Sequence, residues 1–391
     1  MKWNLMLQQL INHNEDIKRL IDDGYEVEIN GGYIFTHHIP YVKSNLEIAY
    51  ATLFCAYNKQ GLLLSPINHT IYYIGGTPCD RKGKALENIF HSENIKVTNE
   101  ITADRMFSSR PNNRDYKGFY EKFKTYIAIL SSEAIAVDPD VTAITYKPIK
   151  LTEENSPLQY LDTNSTRANI EFLNQKFYNQ KIAIVGLGGT GSYILDLISK
   201  IPVKEIHLYD NDEFNTHNAF RSPGAASFEI LNQRLSKVNY YSSIYSNMHK
   251  SIIPHNEFID DSNISQLLQY DFVFICIDSN KSRLKICSFL IEKNIKFIDV
   301  GLGVNLIDDA LSGSIRVSFP FGQNINIIQN HCGKGNLEDD LYASNIQIAE
   351  LNALNATLAV IKWKCELGYY RCLQEYHTLS YILSMNKIIY E

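Results

Sequence analysis

Lys181 to Arg221 read KIAIVGLGGTGSYILDLISKIPVKEIHLYDNDEFNTHNAFR. The short apolar run Ile182–Val185 predicts a buried parallel strand. It ends in the glycine turn Gly186-Leu187-Gly188-Gly189-Thr190-Gly191. Tyr193, Ile194, Leu197, Ile198 and Ile201 then recur at helical spacing. A second strand, Glu205–Tyr209, runs into Asp210-Asn211-Asp212-Glu213. Strand, glycine turn, helix, strand and acid form the first half of a nucleotide-binding α/β pattern. The glycines differ in what they permit. Gly186 allows the tight turn, Gly188 lets backbone N–H groups approach a phosphate, and Gly191 lets helix and strand pack closely. The helix start adds unpaired donors and a partial positive charge. Asp210 lies roughly 20 residues on, where a carboxylate meets ribose hydroxyls. The pattern does not separate a dinucleotide from ATP.

Around this stretch, 391 residues suggest two domains, and 45% apolar content supplies real cores. The formal net charge of −6 comes with no basic run, which argues against sequence-independent nucleic-acid binding. No apolar run is long enough to span a bilayer. The start, MKWNLMLQQLINHNED, lacks a secretory pattern. The seven cysteines include no CxxC pair, so neither a zinc site of that type nor a disulfide framework is implied. A cytoplasmic, reduced protein is expected.

Upstream, a smaller α+β domain is expected over residues 1–155. Tyr25–Ile29, Asn30-Gly31-Gly32 and Tyr33–Phe35 read as a hairpin. Tyr116–Ser131 reads as a helix and Thr142–Tyr146 as a last strand. His37, His38 and His69 have no visible metal-binding partners. The module carries no catalytic constellation and reads as a recognition or docking domain. The polar stretch EENSPLQYLDTNS marks the boundary, with the second domain over residues 156–391 and a helix expected at Thr166–Phe177.

Downstream, Asn218-Ala219-Phe220-Arg221 is followed by Lys237, then by an apolar strand ending in Asp278-Ser279-Asn280-Lys281-Ser282-Arg283. Another strand, Lys296–Val300, ends in Gly301. Ligands in such folds bind at strand carboxyl ends. The series GxGGxG, DxD, NxxR, Lys and DxxxxR resembles the ThiF/MoeB family, which includes the adenylation domains of ubiquitin-activating enzymes. The resemblance covers about Asp162–Tyr370. It implies a Rossmann-like adenylation domain with a mainly parallel sheet, using ATP and Mg²⁺. The implied reaction adenylates the C-terminal carboxylate of a small ubiquitin-like or sulfur-carrier protein and releases pyrophosphate. Thioester formation or transfer to a conjugating or carrier enzyme would follow. A homodimer is implied, with no nucleic acid or membrane as partner, in a bacterial conjugation or defence pathway.

By matched position, the glycine turn and Asp210 would hold the nucleotide, with Asp212 supporting the same turn. Asn218, Arg221 and Lys237 would contact phosphates, and Asp278 would serve magnesium and catalysis. Arg167 would be an arginine finger acting on the opposite subunit. Cys332, beside His331 and Lys334, is the candidate thioester cysteine. Plainer readings stand beside these. Asp210 and Asp212 can form an Asx turn, Arg221 and Lys237 can be solvated charges, and Asp278 can cap a helix. Arg167 can be a surface residue and Cys332 a loop cysteine. Cys276, Cys287, Cys365 and Cys372 read as packing residues. The whole-chain rivals are an NAD-dependent oxidoreductase and a non-catalytic nucleotide-binding scaffold. The missing CxxC pairs depart from many family members. The helix expected at Ile346–Leu367 is the candidate to close that region, packed at a subunit interface or run back under the sheet, and its Asn352 and Asn355, if buried, need partners.

Overall fold

The computed structural model describes residues 10–11, 13–98, 101–111, 114–148, 156–168, 170–320 and 346–391. The chain divides into two compact units, Met1–Ser156 with Tyr160–Phe172, and Pro157–Gln159 with Leu173–Glu391.

The first unit holds helices α1 (Glu15–Asp22), α2 (Phe119–Val137) and α3 (Thr163–Arg167). Its strands are β1 (Glu26–Asn30), β2 (Tyr33–Val42), β3 (Ile48–Gln60), β4 (Leu63–Pro66), β5 (Ile71–Ile74), β6 (Phe90–Lys96) and β7 (Thr102–Phe107). They form one antiparallel sheet in the order β1-β2-β3-β5-β7-β6, with β4 beside β3. The expected hairpin is present, with Asn30 opposite Tyr33. Gly31 and Gly32, at φ +56° and +87°, supply the two left-handed residues of its turn. Phe119, Phe123, Tyr126, Ile127, Leu130 and Ala134 recur along one face of α2 and are buried. That face shares a core with Leu20, Ile34 and Leu53.

Two expectations here fail. Thr142–Tyr146 is not a strand: Ile144 makes only an isolated bridge to Tyr25. The helix expected at Thr166–Phe177 is broken. The Asp162 carboxylate accepts the Ser165 N–H at 3.0 Å and starts α3 early. A 3₁₀ turn, Glu171–Lys176, follows and carries the chain into the second unit.

The second unit is built on β8 (Lys181–Val185), β9 (Glu205–Tyr209), β10 (Ile252–His255), β11 (Phe272–Ile275), β12 (Phe297–Ile307), β13 (Ala310–Ser318), β14 (Thr378–Ile382) and β15 (Lys387–Tyr390). The order is β10-β9-β8-β11-β12-β13-β14-β15. Strands from β10 to β12 are parallel and the remainder antiparallel. This is a Rossmann-like α/β arrangement. The order reverses at β8, between β9 and β11, which opens a crevice at the strand carboxyl ends. The helices are α4 (Gly189–Ile198), α5 (Thr216–Ala219), α6 (Phe228–Asn232), α7 (Lys237–Tyr245), α8 (Asn280–Glu292) and α9 (Ala349–Glu366).

The expected final helix, α9, buries Ala356, Ala359 and Trp363 in the main core with Phe177, Phe272 and Phe274. It thus runs under the sheet. Beyond it, Gly368 at φ +68° turns the chain back. Cys365 and Cys372 come within 5.9 Å (Cα–Cα) and form a disulfide, correcting the reading of both as packing residues. No helix among the described residues is long and apolar enough to cross a membrane.

Candidate functional site

The carboxyl ends of β8, β9 and β11 and the middle of β12 open on one cavity of about 730 Å³. The glycine turn forms its floor. Gly186 adopts φ +93°, and a Cβ there would fall 2.6 Å from the Cys276 carbonyl oxygen. A Cβ on Gly191 would lie 2.0 Å from the Gly186 carbonyl oxygen, so only glycine lets α4 start this close to β8. Around Gly188, the N-cap of α4, a Cβ would meet nothing within 4 Å. That glycine faces open space, where a ligand can approach the backbone.

Asp210 follows β9 and is 5% exposed. Its Oδ2 accepts the Leu187 N–H at 2.8 Å and its Oδ1 the Asp212 N–H at 2.9 Å. The Asx-turn bond is therefore real, but the same carboxylate also ties the glycine turn to β9. Lys237 opens α7 and is 6% exposed, so it is not a solvated surface charge. Its Nζ donates to Asp212 Oδ2 at 2.6 Å and lies 3.3 Å from Asp210 Oδ1. This places one cation between two acids on the cavity wall.

Asn218 is buried, and its Oδ1 accepts the Asn215 N–H at 2.9 Å within a capping box that fixes α5. Arg221 is half-buried against the cavity, with its Nε shielded and without a partner among the described residues. His217 stands on the same wall. Burial pulls its pKa down, helped by the Arg221 and Lys237 charges. Asp278, just past β11, is an exposed carboxylate that lines the same cavity. It does not cap α8: the Ser279 hydroxyl does, accepting the Ser282 N–H at 3.4 Å.

Several residues of this site escape the sequence reading. Asp299, on β12, is fully buried between two arginines, of which Arg283 lines the cavity. Arg283 Nε lies 3.2 Å from its Oδ1, and Arg316 donates to its Oδ2 at 2.5 Å. Arg283 also donates to the Ile277 carbonyl and so braces the loop before Asp278. A charged residue inside the apolar run FIDV was the available signal. Gln347 and Asn352 enter the cavity from the far end of the chain. Cys276 is only half-buried and lines the cavity, unlike the fully buried Cys287. Burial and the Asp299 charge push the Cys276 thiol up, away from the reactive thiolate.

Two expected site residues are not placed in this cavity by the structure. Arg167 belongs to the first unit, where its exposed guanidinium pairs with Asp22 at 3.4 Å. Cys332, with His331 and Lys334, lies outside the described residues.

A glycine turn between strand and helix, a buried Lys between two acids, and an Arg and an Asp are thus gathered in one crevice. Residues 165–320 match the family described as ThiF family. They form a ThiF family domain. Residues 15–163 match a domain of unknown function, DUF6791. Ubiquitin-like modifier-activating enzyme 5 of Drosophila virilis is 26% identical over 169 residues, covering 39% of this chain and 40% of its own. The tRNA threonylcarbamoyladenosine dehydratase of Haemophilus influenzae is 26% identical over 129 residues, covering 31% and 46%. The chain thus spans about 40% of the length of the activating enzymes it matches. Among solved structures, E. coli MccB with MccA-N7isoASN aligns at TM-score 0.45 and 17% identity, covering 59% of this chain and 69% of that one. E. coli TcdA in complex with AMP aligns at 0.41 and 16%, covering 53% and 93%. Every cavity residue named above except Gln347 and Asn352 falls within the span of the ThiF domain.

Proposed function

We propose that this protein is an ATP-dependent adenylating enzyme acting on the C-terminal carboxylate of a small ubiquitin-like or sulfur-carrier protein. The observation that carries the reading is the single cavity in which the glycine turn, Lys237, Arg221 and Asp278 meet. The reaction joins two anions. A carboxylate oxygen of the acceptor attacks the α-phosphorus of ATP, the bond to the bridging oxygen of pyrophosphate breaks, and pyrophosphate leaves with the electron pair. No general base is needed, because a carboxylate is already ionised near neutral pH. What is needed is positive charge against the phosphates. Arg221 supplies a forked donor and Lys237 a point charge. The α4 N-terminus adds oriented N–H groups. The position of Asp210 suits the ribose side of the crevice.

Magnesium fits the donor set. Among the described residues no cluster of three or more His, Cys, Asp or Glu is arranged to hold a metal by itself. Asp278 offers one open carboxylate, and Mg²⁺ takes one or two carboxylates with phosphate and water for the rest. Bound there, the ion would neutralise charge on the leaving group.

The reading extends to a homodimer in which Arg167 reaches the phosphates of the opposite subunit. Its exposed pair with Asp22 is weak and readily exchanged. It also extends to Cys332 as the thioester carrier. The N-terminal domain would recognise the modifier or the next carrier protein. Support for action on a ubiquitin-like protein also comes from the relative named ubiquitin-like modifier-activating enzyme 5.

The test is exchange of labelled pyrophosphate into ATP, with candidate small proteins that end in glycine as acceptors. Exchange is expected with the cognate acceptor, and Asp278→Ala should abolish it without lowering the unfolding midpoint. Normal exchange in that variant would remove Asp278 from the mechanism.

A further inference from the structure

Asn352, in the first turn of α9, is 1% exposed. Its Oδ1 accepts the Thr190 hydroxyl at 2.9 Å, across 162 residues of sequence. Its Nδ2 is buried and has no hydrogen-bond partner among the described residues. A native fold rarely leaves such a donor unpaired without a use for it.

The surroundings name the use. A Cβ on Gly189 would fall 2.2 Å from Asn352 Nδ2, so the amide lies directly over the opening of α4. The first N–H groups of that helix have no intrahelical partners. The N-cap is Gly188, and no side chain caps them. Gly188, Gly189, Thr190 and Asn352 all line the same cavity. Helix donors, a positive dipole end and an unpartnered amide therefore converge on one place, and the group they complement is an anionic oxygen.

We propose that Asn352 is a positioning residue for the nucleotide: its Nδ2 donates to a phosphoryl oxygen seated on the glycine turn. The Thr190 hydroxyl, bonded to Oδ1, turns the NH₂ toward that turn. This rests on the reading of the cavity as an ATP site. It gives the C-terminal helix a direct part in binding, although α9 lies beyond the matched ThiF span.

Asn352→Asp separates a binding role from a packing role. The carboxylate keeps the shape and still accepts the Thr190 hydroxyl, but it replaces the donor with a negative charge. Calorimetric titration with ATP and with adenosine reads the outcome. ATP affinity should fall by about tenfold to a hundredfold, since a hydrogen bond to a charged group is lost. Adenosine affinity should stay unchanged, and ATP affinity should recover as the pH is lowered and the new carboxyl protonates. Asn352→Ala, which adds no charge, should weaken ATP by about tenfold and serves if the carboxylate variant does not fold. Unchanged ATP affinity in these variants overturns the assignment while leaving the ATP site intact. Equal weakening of ATP and adenosine also overturns it, making Asn352 structural. A wild-type chain that binds no ATP overturns the reading underneath and this inference with it.

Discussion

Asp299 offers the sharpest structural test, because its environment fixes both the sign and the size of the effect. Its side chain is fully buried, while those of Arg283 and Arg316 are 10% and 14% exposed. Asp299→Asn preserves volume and one acceptor oxygen but removes the countercharge from two guanidinium groups held out of water. Leaving a buried charge uncompensated costs about 3–5 kcal/mol. The retained oxygen sets the expectation at the low end, about 3 kcal/mol. For a unit of this size, that lowers the unfolding midpoint by roughly 6–12 °C. The protein has two tryptophans. In a Trp3→Phe background, the emission of fully buried Trp363 reports on the second unit alone. Replacing all three charged residues together, as Arg283→Met, Asp299→Leu and Arg316→Met, should return most of the stability, since apolar groups of similar volume carry no desolvation cost. A loss below about 1 kcal/mol in Asp299→Asn would refute the view that this triad braces the cavity.

The glycine turn yields a paired prediction. Gly191→Ala should cost about 3 kcal/mol or more by urea denaturation, because its Cβ meets backbone at 2.0 Å. Gly188→Ala, with open space around it, should leave stability unchanged and weaken ATP binding in the same preparations. His249 makes stability depend on pH. It is fully buried, with Nε2 donating to the Val203 carbonyl at 2.9 Å and Nδ1 accepting the Ser251 N–H at 3.1 Å. Burial lowers its pKa from 6.5 to about 4. The unfolded chain therefore binds the proton first, so this contribution is present above pH 6.5 and is lost as the pH falls toward 4. The loss amounts to roughly 2–3 kcal/mol at pH 4.5. Urea denaturation at pH 7.5 and 4.5 should show a pH dependence that His249→Gln flattens by that amount.

What was legible in the sequence was local. The Ile182–Val185 run, the glycine turn, the α4 periodicity and Asp210 lie within one continuous stretch, and short-range sterics dictate each of them. The Asn30–Tyr33 hairpin was legible for the same reason, since its turn demands two left-handed residues. What escaped was pairing at long range. Asp299 reads as an oddity in an apolar strand until Arg283 and Arg316 arrive from α8 and β13. Asn352 could be marked as needing a partner, but nothing in the sequence joins it to Thr190. The Cys365–Cys372 bridge depends on the Gly368 turn, which helical spacing does not reveal. The helix expected at Thr166–Phe177 failed because the Asp162 cap shifted its start and the unit boundary falls inside it.

The most direct measurement is calorimetric titration of the wild-type protein with ATP and with NAD, each with magnesium present. Saturable binding of one ATP per chain is expected, with affinity lost in Lys237→Met and no comparable binding of NAD. Tight binding of NAD in place of ATP, or no binding of either, would contradict the assignment of this crevice to adenylation.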